Sequence, residues 1–244
     1  MREKSPRTWG QQRVAALAWL LSVCALLAAC GGGSDESSAE VIAHERAAAA
    51  SAAVQAPILP PLWRVGGSAP QAYEFSLSPS AAFEGNYGAS IRLTGIAESK
   101  RDFGVLAQAA KAERWRGQRV AMRAWIKTEN AESAQMWLRI DGVDHLIAMD
   151  NMDHRAIVGT TGWGLYEIVM DVPQEAATLV YGVFLVGGGR VDFDNVQFLQ
   201  APVGAKTTTL YKESQLKLKK GATYGLTGVL EAPSNLDFEQ APGT

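Results

Sequence analysis

Between Leu62 and Gln200 the apolar residues come in short alternating runs, cut at close intervals by Gly, Asn, Asp and Pro, and no helical period is sustained over several turns. A period of two puts one face of an extended segment against a core and the other in solvent. The runs AYEFSL, ASIRLTG, FGVLAQAA, RVAMRAWIKT, AQMWLRID, HLIAMD, LYEIVMDV, TLVYGVFLV and RVDFDNVQFLQ are therefore the expected strands. Some nine strands in about 140 residues predict one all-β domain, a jelly-roll β-sandwich. Only AAKAERWRG, between two of the strands, has room for a helical turn.

Two of these runs carry the most suggestive surface. In RVAMRAWIKT, Val120, Met122, Ala124 and Ile126 fall on one face and Arg123, Trp125 and Lys127 on the other. In AQMWLRID, Met136, Leu138 and Ile140 share a face opposite Gln135, Trp137, Arg139 and Asp141. If ENAES is a hairpin turn between them, the polar sides merge into one surface bearing both tryptophans. Flat indoles flanked by hydrogen-bonding groups suit sugar rings. The competing reading is structural: the opposite sheet, the AAKAERW turn or the C-terminal extension covers the indoles, with arginines stacked on them.

The stretch MDNMDHRAIVGTTGW, residues 149–163, concentrates charge between apolar runs. It reads as the connection between two strands, with Asn151 and Asp153 bonding to nearby backbone and Arg155 pairing with Asp150 or Asp153. Asp150, Asn151 and Arg155 are also candidates to complete a binding face at the rim of the sandwich. His145 and His154 lie nine residues apart with no partner at i+4, so a histidine metal site is not expected. The residues also offer no nucleophile with an evident base. Asp141 with Asp150 is the one carboxylate pair worth testing for glycosidase chemistry, and the expectation is a chain that is not an enzyme. VGGGRVDFDNV leads into a strand rather than a helix, so it is read as a turn and not a phosphate loop.

The N-terminus has a different texture. A basic start, the apolar run VAALAWLLSVCALLAAC and a small-residue exit make a secretory signal over residues 1–29, too short for a comfortable membrane span. LAAC resembles the bacterial lipobox, which implies acylation at Cys30, a palmitate-bearing lipoprotein, and membrane anchorage at the cell envelope. Gly31 resembles the pattern that sends such proteins to the outer membrane of a Gram-negative host. With Cys24 removed and Cys30 acylated, neither of the 2 cysteines is left for a disulfide or a metal site. Losing Arg2, Lys4, Arg7, Arg13 and Glu3 takes the chain from −2 to a net charge of about −5, which makes nucleic acid a poor partner. Residues 30–61 are Gly-, Ser- and Ala-rich and read as a flexible tether, in which His44 is a solvated residue. Residues 201–244 form a C-terminal extension, with Lys217, Lys219 and Lys220 expected on a solvated face that either guards a strand edge or touches anionic head groups.

SIRLTG, GVLAQAAKAERWRGQRVAMRAWIKT, MWLRIDG, AMDNMDHRAIVGTTGWGLYEIVMDVP and YGVFLVGGGRVDFDNVQF together resemble a bacterial galactose-binding-like β-sandwich of the carbohydrate-binding-module type, over residues 62–200. The resemblance implies a non-catalytic accessory module in a jelly-roll fold, with a polysaccharide, another glycan or an envelope protein as partner. Related sandwiches begin with a strand similar to NLDFE, whereas here SNLDFEQ occupies residues 234–240. That segment either takes the place of a missing first strand, as in a circular permutation, or begins a second repeat. In similar modules an acid of the first strand and one of the last hold a structural Ca2+; Asp194 and Glu239 are the matching pair.

Overall fold

The computed structural model describes residues 58–96, 98–212 and 228–240. The leader, Cys30, most of the tether and Lys217, Lys219 and Lys220 lie outside the described residues. The strands are β1 (Arg64–Gly67), β2 (Tyr73–Ser78), β3 (Gly88–Leu93), β4 (Phe103–Lys111), β5 (Gln118–Asp141), β6 (Leu146–Asp150), β7 (Ile157–Val172), β8 (Thr178–Val186), β9 (Arg190–Gln200) and β10 (Tyr211–Lys212). The helical turn in AAKAERWRG is a 3-10 turn at Glu113–Trp115.

The strand β5 organises the molecule. It runs 24 residues without a break. Its first half pairs with β9 on one side and β7 on the other, giving a layer in the order β2-β3-β9-β5-β7. Its second half pairs with β8 and β6, giving a layer in the order β1-β4-β8-β5-β6-β10. The strand changes layer around Asn130, which takes a left-handed φ of 48°, and its register against β7 shifts on both sides of that point. An irregularity of this kind is how a strand turns the corner of a sandwich.

This corrects the expected hairpin across ENAES. The two runs are successive halves of one strand, and the polar letters between them form a corner where a turn was expected. Because the strand wraps around the core, the even-numbered residues face inward in both halves: Val120, Met122, Ala124 and Ile126, then Met136, Leu138 and Ile140, all 0% exposed. The layers meet through rings such as Tyr181 and Phe198, whose centroids lie 4.7 Å apart, edge to face. Each such pair adds about 0.5–1.5 kcal/mol beyond burial.

The strand β7 begins earlier than its alternation suggests, since Gly159 and Gly162 interrupt the apolar pattern; pairing of Thr161 with Thr128 and Gly159 with Ala131 draws it into the ladder. The short β1, with two glycines, is likewise made by its partner β4. Beyond β9 several of the described residues bond along strands of the two layers. Thr208 exchanges backbone and side-chain bonds with Val169 of β7, and Tyr211 pairs with Met149 of β6. Leu230 bonds β4 through Ala109 and Lys111.

SNLDFEQ packs into the sandwich as an irregular strap. Phe238 is fully buried, with ring centroids 5.1 Å from Trp63 and 5.2 Å from Phe193. The Val196 N–H of β9 donates to Leu236 O at 2.8 Å, Trp63 Nε1 donates to Asn235 O at 2.9 Å, and Asn235 Nδ2 donates to Pro61 O at 3.1 Å. The buried Gln108 donates to Ser234 O, accepts from Ser234 N, and also accepts from the Tyr181 hydroxyl. Burial pushes that hydroxyl's pKa far above its ordinary value, so it stays a neutral donor.

Candidate functional site

The residues expected to form one binding face separate into three places. Trp125 and Arg123 point outward from the first half of β5. Trp137, Arg139 and Asp141 point outward from the second half, on the opposite side of the sandwich. Asp150, Asn151 and Arg155 form the turn after β6. Alternation separates inward from outward residues, but the path of the strand decides which outward residues are neighbours.

Trp125 is covered. Phe83, from the loop between β2 and β3, stacks on it with centroids 4.0 Å apart and planes 14° from parallel. Trp163 meets Phe83 at 5.5 Å, edge to face, and Lys127 Nζ sits 4.8 Å from the Trp163 centroid. Beside this cluster Arg123 Nε donates to Glu167 Oε2 at 2.6 Å. Phe83, Trp163 and Glu167 carry no signal in the sequence as companions of Trp125; only the register and the loop path bring them together.

Asp150 is a correction as a rim ligand. Its side chain is fully buried, because the position pairs with core-facing Leu138. It accepts from the Met152 N–H at 2.9 Å and from Arg155 Nη2 at 2.8 Å. Asn151 Oδ1 accepts from the Asp153 N–H at 3.3 Å. MDNMDHR is thus a turn shaped by its own side chains, as its composition suggested. Asp141 and Asp150 project from opposite faces of the same layer, so they do not flank a common cleft as a glycosidase pair must.

The outer face around Trp137 is paved with small, closely packed residues. Across the strands the register sets Trp137 beside Gly182, Ala107 and Arg64; the next row sets Gln135 beside Phe184, Val105 and Gly66; a third sets Arg139 beside Val180 and Ala109. Val105, Ala107, Ala109 and Val180 are buried but stand outside the core cluster between the layers. Small side chains form the floor, with an indole on one side and a guanidinium on the other. Arg139 lies 5.8 Å from the Trp137 centroid and donates from Nε and Nη2 to Asp141 Oδ2 at 3.0 and 2.7 Å. Burial raises the Asp141 pKa, opposed by the charge and hydrogen bonds of Arg139. The Trp137 Nε1 is buried without a hydrogen-bond partner, and an unmet donor of this kind costs about 1–3 kcal/mol. The floor residues went unnoticed in the sequence because small apolar residues in a strand look like core.

Asp194 and Glu239 do converge, on either side of the loop 82–87. Asp194 Oδ2 accepts from the N–H groups of Phe83 at 2.8 Å and Glu84 at 3.1 Å, and Oδ1 from Asn195 N–H at 2.6 Å. Glu239 Oε1 accepts from the N–H groups of Asn86 at 2.7 Å and Tyr87 at 3.0 Å, and Oε2 from Asn86 Nδ2 at 2.9 Å. Burial raises the Asp194 pKa against its three backbone bonds, with the Glu239 charge adding to the rise. Burial would also raise that of Glu239, but the bonds from Asn86 and Tyr87 hold it below the ordinary value. A hard cation takes six to eight oxygen ligands. Here the carboxylates face N–H donors, and among the described residues no third acid or histidine joins them. The donor set does not fit Ca2+.

No family model matches the chain. It is 31% identical over 180 residues to the uncharacterized HTH-type transcriptional regulator YbfP of Bacillus subtilis (strain 168), a match covering 73% of this chain and 56% of that protein. The chain therefore spans little more than half of that relative. Among solved structures it is similar to TmCBM61 in complex with β-1,4-galactotriose, at 17% identity and a TM-score of 0.40 over 59% of this chain and 91% of the other. It is also similar to the C-terminal family 22 carbohydrate-binding module of Clostridium thermocellum Xyn10B, at 15% identity and a TM-score of 0.40 over 60% and 89%. The enzymatically active domain of bacteriophage CBA120 tailspike protein 4 gives 12% identity and a TM-score of 0.44 over 58% of this chain and 20% of that one.

Proposed function

We propose that the chain is a non-catalytic binding module whose ligand, a carbohydrate, lies against Trp137 on the outer face of β1-β4-β8-β5-β6. The observation that carries this reading is the row Trp137, Gly182, Ala107, Arg64. The half-buried indole stands among small residues, and beside it the partly exposed Asp141 carboxylate, held by the buried Arg139, is a polar group at the surface. Trp125, with Phe83 on its face, serves as structural cover.

The module is anchored to the cell envelope through acylated Cys30, at the outer membrane in a Gram-negative host. The LAAC exit and the polar tether support this. Among the described residues no helix is long and apolar enough to cross a membrane. Metabolic labelling with a palmitate analogue, lost on Cys30→Ala, tests the anchor.

The test of the ligand is tryptophan emission and pull-down against a panel of envelope and plant polysaccharides. Binding that survives Trp125→Ala and disappears in folded Trp137→Ala supports the Trp137 face. Binding to no member, or loss in Trp125→Ala alone, rejects it. A second reading, an envelope protein as partner, draws on β7, where Val158 is 64% exposed and Leu165, beside Trp125 in register, is 50% exposed. Capture of one envelope protein, lost on Leu165→Glu, would favour it.

A further inference from the structure

We infer that the C-terminal strap closes this sandwich without a metal ion: Glu239, with Asp194, holds the loop 82–87 through amide N–H bonds at the place where similar sandwiches put a divalent cation. An ionised carboxylate offers about four lone-pair sites. Three N–H donors already approach Asp194 and three approach Glu239. Oxygens that each take two donors, Asp194 Oδ2 and Glu239 Oε1, have no lone pair left for a cation. The backbone N–H groups of Phe83, Glu84, Asn86 and Tyr87 also turn their positive ends toward the centre, the arrangement in which loops bind anions.

The sequence of the loop is built for this. Gly85 takes φ +71°, a conformation suited to glycine, and a Cβ there would run into Glu239 Oε1. Glu84 Oε2 accepts from Asn195 Nδ2 at 3.2 Å, which turns the loop's own acid toward an amide and away from the centre. The strap is fixed from behind by Phe238 in the core and by the Val196 bond to Leu236. Glu239 is therefore delivered by packing, and needs no ion to bring it in. One consequence reaches the surface. The Asp194 bond that orders the loop is made to Phe83, whose ring covers Trp125, so the strap and Asp194 together set the cover of that indole.

The test is thermal unfolding of the purified full chain after EGTA treatment, with and without added calcium chloride, beside hydrogen–deuterium exchange of the 82–87 amides. The expected result is a midpoint unmoved by calcium or EGTA. Glu239→Ala should lower the midpoint by about 2–4 °C and speed exchange at Asn86 and Tyr87, without calcium restoring either. A saturable calcium-dependent rise of the wild-type midpoint would overturn the inference, and that measurement needs no variant to fold. Unchanged exchange at Asn86 and Tyr87 in folded Glu239→Ala would overturn it as well. Should Glu239→Ala not fold, Asn86→Ala removes one side-chain donor and leaves the core intact; it should weaken the same protection to a smaller degree.

Discussion

The two halves of β5 carry the same kind of letter at the same parity, Trp125 in the first and Trp137 in the second, yet the molecule treats them differently. Trp125 lies under Phe83, stacked at 4.0 Å, and the loop bearing that ring is tied down by Asp194 and Glu239. Trp137 has a guanidinium 5.8 Å away, small residues beside it and a buried N–H with no partner. An aromatic on the outside of a sandwich is thus cement where a neighbouring loop is anchored over it. It is a candidate binding element where the neighbours are glycine and alanine. Apart from Arg139, the difference is decided by what the adjacent strands and loops contribute.

The sharpest way to break this contrast is to remove each indole in turn. Trp137→Ala is expected to weaken glycan binding about tenfold, since stacking of a ring on the indole is worth about 1.4 kcal/mol. Its stability should change little, because the floor beneath it is independent of the core. Trp125→Ala is expected to leave binding within about twofold and to cost about 2 kcal/mol of stability through the lost stack and the exposed Phe83. Titration of both variants with the best polysaccharide, together with urea unfolding, checks the pair. Equal losses of binding in the two would erase the distinction.

The same experiment explains how far the sequence could be read. Period-two alternation marked most strands to within a residue or two, and β8 and β9 fall where their letters place them, because both faces of those strands are constrained by neighbours. What alternation cannot carry is a corner. ENAES looks like a turn in a linear reading, as Asn and Ser favour turns, and a strand that passes from one layer to the other shows the same composition. The separation of the two tryptophans follows from that ambiguity, while the misplacement of Asp150 follows from the pairing of β6 with core-facing Leu138. Phe83, Glu167, Gly182 and Arg64 became relevant only through pairing with distant segments. Within the polar stretch 149–163 the turn at 151–156 is legible because its bonds are local, between residues two to five apart, whereas 157–163, expected as part of the connection, belongs to β7 and is held by partners about 30 residues away.

The smaller effects refine the contrast at its edges. Asp150→Asn tests whether the turn belongs to either face. It keeps an acceptor for the Met152 N–H but removes the charge opposite Arg155, whose side chain is 35% exposed against 0% for Asp150. The half-exposed arginine keeps its hydration, so the loss should be about 1–2 kcal/mol, well under that for a fully buried pair. Glycan binding measured on the same variant should be unchanged; a loss of affinity with retained stability would return Asp150 to the binding face.

The last and smallest effect tests the corner that sets the two faces apart. Asn130 has φ 48°, a left-handed conformation that asparagine tolerates better than other side-chain-bearing residues. Its N–H donates to Thr160 Oγ1 at 2.9 Å and its Oδ1 accepts from the same hydroxyl at 3.4 Å. Asn130→Ala keeps the backbone bond but adds the left-handed cost, and should destabilise by about 1 kcal/mol. Asn130→Gly relaxes the backbone and loses only the longer bond, so its stability should stay within a few tenths of a kcal/mol. If the corner is a conformational requirement, alanine is worse than glycine in urea unfolding. The reverse order would mean that the Thr160 contact, rather than the backbone, carries β5 from one layer to the other.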